Sequence, residues 1–247
     1  MKIKIMDNEK AKIIIVGATS GIGLALAKKF VKDGHKVGVA GRRLEKLKAF
    51  QQKFLGKAFI KQMDITLTGQ AIIQLDHLIN QMEGVDIIVI SAGIGFVNPE
   101  LDWQKEQQTI DTNVRGFSAV ASASLNYFIK QGHGQLVSIS SINALRGSDV
   151  APAYAASKAF VSNYMQGLRK KVFKLGLPIS VTDIQPGFVA TKMAKGDGLF
   201  WVSSSKKAAS QIKNAILKKR KHVYITKRWR LVAWLLKILP DWLYHRI

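Results

Sequence analysis

A tyrosine and a lysine four residues apart, Tyr154 and Lys158 in "YAASK", could form a proton-transfer pair. Positions i and i+4 share one face of a helix, so both side chains would point into one site. A free phenol has a pKa of about 10, and a nearby ammonium group lowers that pKa, which suits proton exchange near neutrality. The spacing alone is weak evidence for a site, because a chain rich in lysine and with five tyrosines can contain it by chance. It gains force from Ser141, 13 residues before Tyr154, and from Asn113 after an earlier helical stretch.

A second motif, "GATSGIG" at residues 17–23, directly follows the apolar run "KIIIV" at residues 12–16. Glycine permits positive φ and leaves no Cβ in the way of an approaching ligand. At the start of a helix, free amide groups and the helix dipole suit a pyrophosphate. A tight strand-to-helix turn without a ligand is the alternative.

The elements that would position these residues alternate along the chain. Short apolar runs rich in β-branched residues predict seven strands, at residues 12–16, 36–40, 58–62, 85–90, 135–140, 179–184 and 222–225. Helical stretches between them include residues 21–32, 44–54 and 154–175. This alternation predicts one doubly wound α/β domain with a seven-stranded parallel sheet covered by helices, whose ligands bind at the carboxyl ends of the strands. We assign residues 1–227 to this domain and residues 228–247 to a basic, tryptophan-rich helical tail.

The motifs resemble, in order, those of the short-chain dehydrogenase/reductase family from about residue 12 to residue 191. They are "GATSGIG", "MDIT" with Asp64, "SAG" at residues 91–93, "TNVRG" with Asn113, "ISSINA" with Ser141, "YAASK" and "PGFVAT" at residues 186–191. The resemblance implies a Rossmann-fold oxidoreductase that transfers hydride between a nicotinamide cofactor and a carbonyl or alcohol. It also implies a homodimer or homotetramer.

The resemblance assigns roles residue by residue. Tyr154 would be the general acid and base at the substrate oxygen, and Ser141 would hold that oxygen. Lys158 would lower the pKa of Tyr154 and hold the nicotinamide ribose, while Asn113 would position a water in the proton relay. The implied cofactor site consists of Gly17, Thr19, Ser20, Gly21, Ile22, Gly23, Arg42, Arg43, Asp64, Ile65, Ser91, Ala92, Gly93, Asn113, Tyr154, Lys158, Pro186, Gly187, Val189 and Thr191.

The end of the second predicted strand indicates which cofactor is used. In "VAGRR", Gly41 stands where an acidic residue would bind the ribose hydroxyls, and Arg42 and Arg43 follow. A guanidinium group can bind a 2′-phosphate through two hydrogen bonds, so we expect NADP(H) rather than NAD(H). The alternative is that both arginines are solvated at a helix start.

Two departures from the family pattern concern the sheet and the cofactor loop, and they leave the proton-transfer residues intact. Val16 replaces the usual threonine, and Ile90 with Ser91 replaces the usual pair of asparagines. The loops expected to close over the nicotinamide carry aromatic residues, which predict a lipophilic substrate unless they belong to the core: Phe96, Phe188, Phe200 and Trp201.

Basic residues outnumber acidic ones by 38 to 16, and residues 192–247 hold 14 of the former against two of the latter. Such a concentration indicates an anionic surface as a partner. The chain has no cysteine, which excludes disulfides and thiolate metal sites, and we expect no metal. The charged N-terminus is not typical of a signal peptide, so we expect a cytoplasmic protein.

Residues 231–239 form an apolar helix candidate, too short to cross a bilayer and ended by Pro240. Tryptophans mixed with lysine and arginine are typical of an interfacial helix on anionic lipid, which would make the protein peripheral at a membrane. The alternative is packing over the substrate pocket or a neighbouring subunit. Nucleic acid is disfavoured, because the aromatics lie among aliphatics and no nucleic-acid motif accompanies them. The rival to an enzyme is a non-catalytic NADP(H)-binding or membrane-docking regulatory protein.

Overall fold

The computed structural model describes residues 10–191 and 200–246, in which strands and helices alternate. The strands are β1 (Lys12–Val16), β2 (Lys36–Gly41), β3 (Ala58–Gln62), β4 (Ile87–Ile90), β5 (Gly134–Ile139), β6 (Ile179–Pro186), β7 (Val189–Ala190), β8 (Ser203–Ser204) and β9 (His222–Ile225). The α-helices are α1 (Gly21–Lys32), α2 (Leu44–Lys53), α3 (Thr68–Gln81), α4 (Trp103–Ile110), α5 (Phe117–Gln131), α6 (Pro152–Lys174), α7 (Ser205–Leu217), α8 (Trp229–Ile238) and α9 (Asp241–Tyr244).

Seven strands form one parallel sheet in the order β3-β2-β1-β4-β5-β6-β9. The chain winds outward from β1 in one direction and from β4 in the other. The carboxyl ends of β1 and β4 therefore border the crevice where such sheets bind ligands. The predicted sheet and its seven strands are confirmed, with end positions that differ by no more than two residues.

Successive residues of a strand point to opposite faces, and β1 shows how both faces are buried. Ile13 and Ile15 pack in one core cluster together with α1 and α7. Ile14 and Val16 pack in a second cluster together with α3 and α5. This explains why the strands are continuous apolar runs, and it confirms the doubly wound architecture.

Two local features differ from the prediction. Helix α6 begins at Pro152, two residues early, because the fixed φ of proline suits the first turn of a helix. Strands β7 and β8 form a small separate parallel sheet that the sequence pattern did not predict, since two-residue strands carry no periodicity. Part of the loop expected over the nicotinamide, residues 192–199, lies outside the described residues.

Helices α8 and α9 form the C-terminal unit of the described chain. Trp229 and Ala233 of α8 are buried, and they join Ile142 in a third, smaller apolar cluster. None of the helices in residues 10–191 and 200–246 is long and apolar enough to span a bilayer.

Candidate active site

The segment after β4 brings three of the predicted catalytic side chains together. A Cβ placed on Gly93 would lie 3.2 Å from Lys158 Nζ and 3.3 Å from Asn113 Oδ1. A Cβ on Gly95 would lie 2.6 Å from the ring of Tyr154. Glycine at both positions therefore lets the backbone run across the site. Gly95 was missed by the sequence analysis, although the repeated glycine in "SAGIG" was a signal for close approach.

Asn113 lies in a π-helical turn, Asp111–Gly116, between α4 and α5. Its Oδ1 accepts a hydrogen bond from Ile94 N at 2.9 Å, and its Nδ2 donates to Ile94 O at 2.7 Å and to Ser157 Oγ at 2.9 Å. Turns of this kind recur at functional sites. The asparagine thus fastens the segment after β4 to the helix that carries Tyr154 and Lys158.

Ser141 and Lys158 meet at the carboxyl end of β5. Lys158 Nζ donates to the carbonyl oxygen of Ile139, the last residue of β5, at 3.0 Å. Ser141 begins a short 3₁₀ turn, and its Oγ accepts from Asn143 N at 3.1 Å. Both side chains are buried. The predicted constellation is therefore assembled at the edge of the sheet where ligands bind.

Burial sets the protonation of the site. Burial raises the pKa of Tyr154 above its usual value of 10, and hydrogen bonding with Ser141 opposes this only in part. The predicted lowering of the Tyr154 pKa by Lys158 is not what this arrangement gives. Lys158 Nζ lies 5.7 Å from the ring centroid, and burial of the phenol is the largest influence on its pKa. Tyr154 therefore holds its proton at neutral pH.

Burial also lowers the pKa of Lys158, from 10.5 to about 8, and the carboxylate of Asp183 opposes this shift. Asp183 is only 1% exposed and lies within β6. Its Oδ1 accepts from Ser138 Oγ at 2.9 Å and Ser140 Oγ at 2.6 Å, and its Oδ2 accepts from Ser162 Oγ at 2.8 Å. Asp183 was not predicted from the sequence, although an acidic residue inside the apolar run "ISVTDI" was a signal.

The glycine motif is explained mostly by contacts inside the protein. Gly17 has φ +89°, and a Cβ there would collide with the backbone of Ala92. A Cβ on Gly23 would collide with Gly17 O. Gly21 has φ +56° and faces the side chain of Thr191. The glycines therefore allow β1, α1 and the segment after β4 to meet closely, and they do not by themselves demand a ligand.

Anion binding is supported instead by the start of α1. Ser20 is the N-cap, yet its side chain makes no capping hydrogen bond, and the first turn contains no acidic residue. Arg43 reaches over this end: its Nε and one terminal nitrogen donate to Thr19 Oγ1 at 3.1 and 2.6 Å, and the same nitrogen donates to Ser20 Oγ at 2.8 Å. Free amides, hydroxyls and a guanidinium group suit a dinucleotide phosphate.

The other predicted cofactor residues lie at the same carboxyl-terminal side of the sheet, but their side chains differ in how accessible they are to a cofactor. Ser91 Oγ approaches Gly23, and Thr191 approaches Gly21. Asp64 Oδ1 accepts from the amide and hydroxyl of Thr66, so this carboxylate already organises its own turn. The side chains of Ile65, Pro186 and Val189 are buried, which leaves only their backbone atoms for a cofactor. Arg42 is exposed and Ala92 is half-buried.

Three of the four aromatic residues predicted to line a lipophilic pocket, Phe188, Phe200 and Trp201, lie around Trp229, where Phe200 and Trp201 stay partly exposed, and the fourth, Phe96, is half-buried. Phe188 and Phe200 lie with ring centroids 5.3 and 5.1 Å from that of Trp229, and Trp201 lies at 6.2 Å. A Cβ on Gly187 would collide with the indole of Trp229. The C-terminal helix α8 thus braces the loop that follows β6.

Comparison with known proteins agrees with this geometry. The model of the family described as short chain dehydrogenase matches residues 11–198. An oxidoreductase of Myxococcus xanthus (strain DK1622) is 35% identical over 185 residues, 73% of this chain and 72% of the relative. A short chain dehydrogenase/reductase from Burkholderia phymatum, solved in complex with NAD, has a TM-score of 0.83 at 18% identity, covering 93% of this chain and 94% of that one. ElxO, solved with NADP bound, has a TM-score of 0.77 at 21% identity, covering 90% and 100%.

The chain belongs to the short-chain dehydrogenase/reductase family. It is an oxidoreductase of the Rossmann fold, in a family that binds nicotinamide cofactors.

Proposed function

We propose that the protein is an NADPH-dependent reductase of a lipophilic ketone or aldehyde. One observation carries the proposal: Tyr154, Lys158 and Asn113 converge on the segment after β4, with Ser141 beside Tyr154. A nicotinamide cofactor held along this edge would supply the hydride. The protein's own groups would bind the substrate and handle the proton.

Tyr154 is the proton donor in this proposal. Burial keeps the phenol protonated at neutral pH, so Tyr154 can donate its proton to the substrate oxygen. The hydroxyl of Ser141 would donate to the same substrate oxygen as negative charge develops there. Lys158, still largely protonated below its pKa of about 8, would hold the ribose and stabilise the charge left on Tyr154.

The preference for NADPH is supported by Arg43. Structural neighbours have been solved with NADP and with NAD, so the choice depends on this chain's own residues. Arg43 lies over the hydroxyls of Thr19 and Ser20 at the start of α1, and Gly41 carries no carboxylate to repel a phosphate. Arg42 is exposed beside it and free to turn toward the same phosphate.

Catalysis is tested by following NADPH consumption with a panel of ketones and aldehydes, long-chain compounds included. We expect turnover, and Tyr154→Phe should lower kcat/KM by about 10²–10⁴-fold because the proton donor is lost. Tyr164→Phe is the matched control: this tyrosine lies on the same helix and stacks on Phe160, away from the site. NADPH binding without consumption across the whole panel would favour the non-catalytic alternative.

Cofactor choice is tested by titration of the double variant Arg42→Glu, Arg43→Gln. The loss of charge-assisted contacts should weaken NADPH binding by roughly 1.5–3 kcal/mol for each contact removed, with NADH binding unchanged or improved. Arg220→Gln is the control, because Arg220 precedes β9, which lies at the other side of the sheet from β2 and the two arginines. A preference of the unmodified protein for NADH would contradict the assignment.

A further inference from the structure

Helix α8 carries apolar residues on two opposite sides. Successive helix residues are rotated by about 100°, which places Leu231, Trp234, Leu235 and Ile238 within one arc of about 100°. Their side chains are between 49% and 69% exposed, and Trp242 of α9 is 63% exposed. We call these five residues the C-terminal apolar face. A contiguous exposed surface of this kind marks an interaction site rather than ordinary surface variation.

The opposite side of α8 is firmly attached to the domain. Trp229 and Ala233 are no more than 2% exposed, and they pack with Ile142 near the candidate active site. Arg146 donates to the carbonyl oxygens of Leu236 and Leu239 at the end of α8. The C-terminal apolar face is therefore a property of the folded protein, held outward by contacts on its other side.

The surroundings of this face are strongly basic. Residues 227–246 contain five lysines and arginines and one acidic residue, Asp241. Asp241 is already paired with Arg146 at 2.7 Å. Arg230 and Lys237 lie about 100° and 80° around the helix from Trp229, so both border the apolar arc on the side of Trp234. Arg246 lies over the ring of Trp242, its guanidinium carbon 5.8 Å from the ring centroid.

The positive charge around the C-terminal apolar face favours an anionic bilayer over a second copy of the chain as its partner. A second copy of the chain would bring the same basic residues against their equivalents in a two-fold contact, and like charges repel. An anionic bilayer offers complementary charge together with an apolar interior at the depth that a surface helix reaches. Tryptophan is favoured at that interface because its ring is apolar and its N–H is polar.

We propose that the C-terminal apolar face docks the folded protein on an anionic phospholipid surface. The buried side of α8 braces Gly187 through Trp229, so the docked helix lies next to the loop after β6. Phe200, Trp201 and Val202, each at least 43% exposed, extend the exposed apolar surface beside Trp229. The docking requires no turnover, so it stands or falls separately from the reductase activity.

The test is flotation of the full-length protein with phosphatidylcholine vesicles, with and without about one third phosphatidylglycerol. We expect binding only to the anionic vesicles, a blue shift of tryptophan fluorescence, and release at about 1 M salt, where screening acts within roughly 3 Å. Arg230→Gln and Lys237→Gln should each weaken binding by about fivefold. The double variant Trp234→Ser, Ile238→Ser should lower it by more than about tenfold.

Two controls distinguish loss of vesicle binding from unfolding and from a general loss of exposed apolar surface. All substituted residues are exposed, so thermal unfolding should be unchanged. Phe173→Ser removes an 85% exposed aromatic at the far end of α6 and should leave vesicle binding intact. Failure of the intact protein to bind anionic vesicles would overturn the proposal. Normal vesicle binding by the double variant would also overturn it. So would light scattering that shows only self-association through the C-terminal apolar face, or a binding assay in which the face binds nucleic acid and not vesicles.

Discussion

Replacing Asp183 with asparagine removes a buried negative charge while keeping the size of the side chain. The three serine hydroxyls that donate to Asp183 can rotate, and Gln185 Nε2 also approaches it at 3.4 Å. Gln185 Oε1 is buried without a partner within the described chain, and it can accept from the new amide. The variant should therefore fold, and its main effect should be electrostatic.

The magnitude follows from the position of Asp183 relative to α6. Ser162, one turn after Lys158, contacts the carboxylate, and for the magnitude we take a separation of about one to two helical turns between the carboxylate and the ammonium group. At about 5–10 Å and an effective dielectric constant near 20, the Coulomb energy is roughly 1.5–3 kcal/mol, or about one to two pKa units. Because Asp183 raises the Lys158 pKa, its loss should lower that pKa from about 8 to roughly 6–7.

The shift is measured by following the lysine Cε resonance in isotope-labelled protein during a pH titration. The upper limb of the pH profile of kcat/KM should move to lower pH in parallel, since the proton on Lys158 is lost as pH rises through its pKa. Ser162→Ala removes a hydrogen bond but keeps the charge, so it should leave the inflection near 8. An unchanged inflection in Asp183→Asn, or an equal shift in Ser162→Ala, would refute the electrostatic role of Asp183.

Three further substitutions test the contacts around the site. Gly95→Ala places a methyl group 2.6 Å from the ring of Tyr154, and the displaced phenol should cost about 10²-fold in kcat/KM; normal kinetics would contradict this. Gly187→Ala forces a methyl group into Trp229 and should cost about 1–3 kcal/mol, seen as a melting temperature lower by several degrees; an unchanged melting temperature would contradict it. Arg146→Ala removes the donors at the end of α8, so amide exchange should accelerate there and not in the sheet; uniform protection would show that these bonds are dispensable.

Much of the fold was predictable because its signals are local. Buried parallel strands need continuous apolar, β-branched runs, so residues 12–16 and 222–225 were identified with the bounds that the structure gives. The spacing of Tyr154 and Lys158 placed both on one helix face, and the order of the motifs indicated the family. Proline at the start of α6 is also a local signal, because its fixed φ suits the first turn of a helix.

Other features depended on residues that meet only when the chain is folded. Burial raises the Tyr154 pKa, and Gly95, which lies against its ring, is some sixty residues earlier in the chain, so helical spacing could not reveal this contact. The charge that supports Lys158 lies on β6 and is held by serines from β5 and α6. The side chain of Asn113, in the π-helical turn, forms hydrogen bonds with Ile94 and Ser157, which lie 19 and 44 residues away in the sequence.

The C-terminal helix shows the same division. The sequence by itself determined an apolar, basic helix ended by Pro240, because periodicity and proline act locally. It left open which residues face inward, since α8 is apolar on both sides. Only the tertiary structure decided that Trp229 and Ala233 are buried while Trp234 and Ile238 face outward, because loop and strand residues distant in sequence cover one side of the helix and not the other.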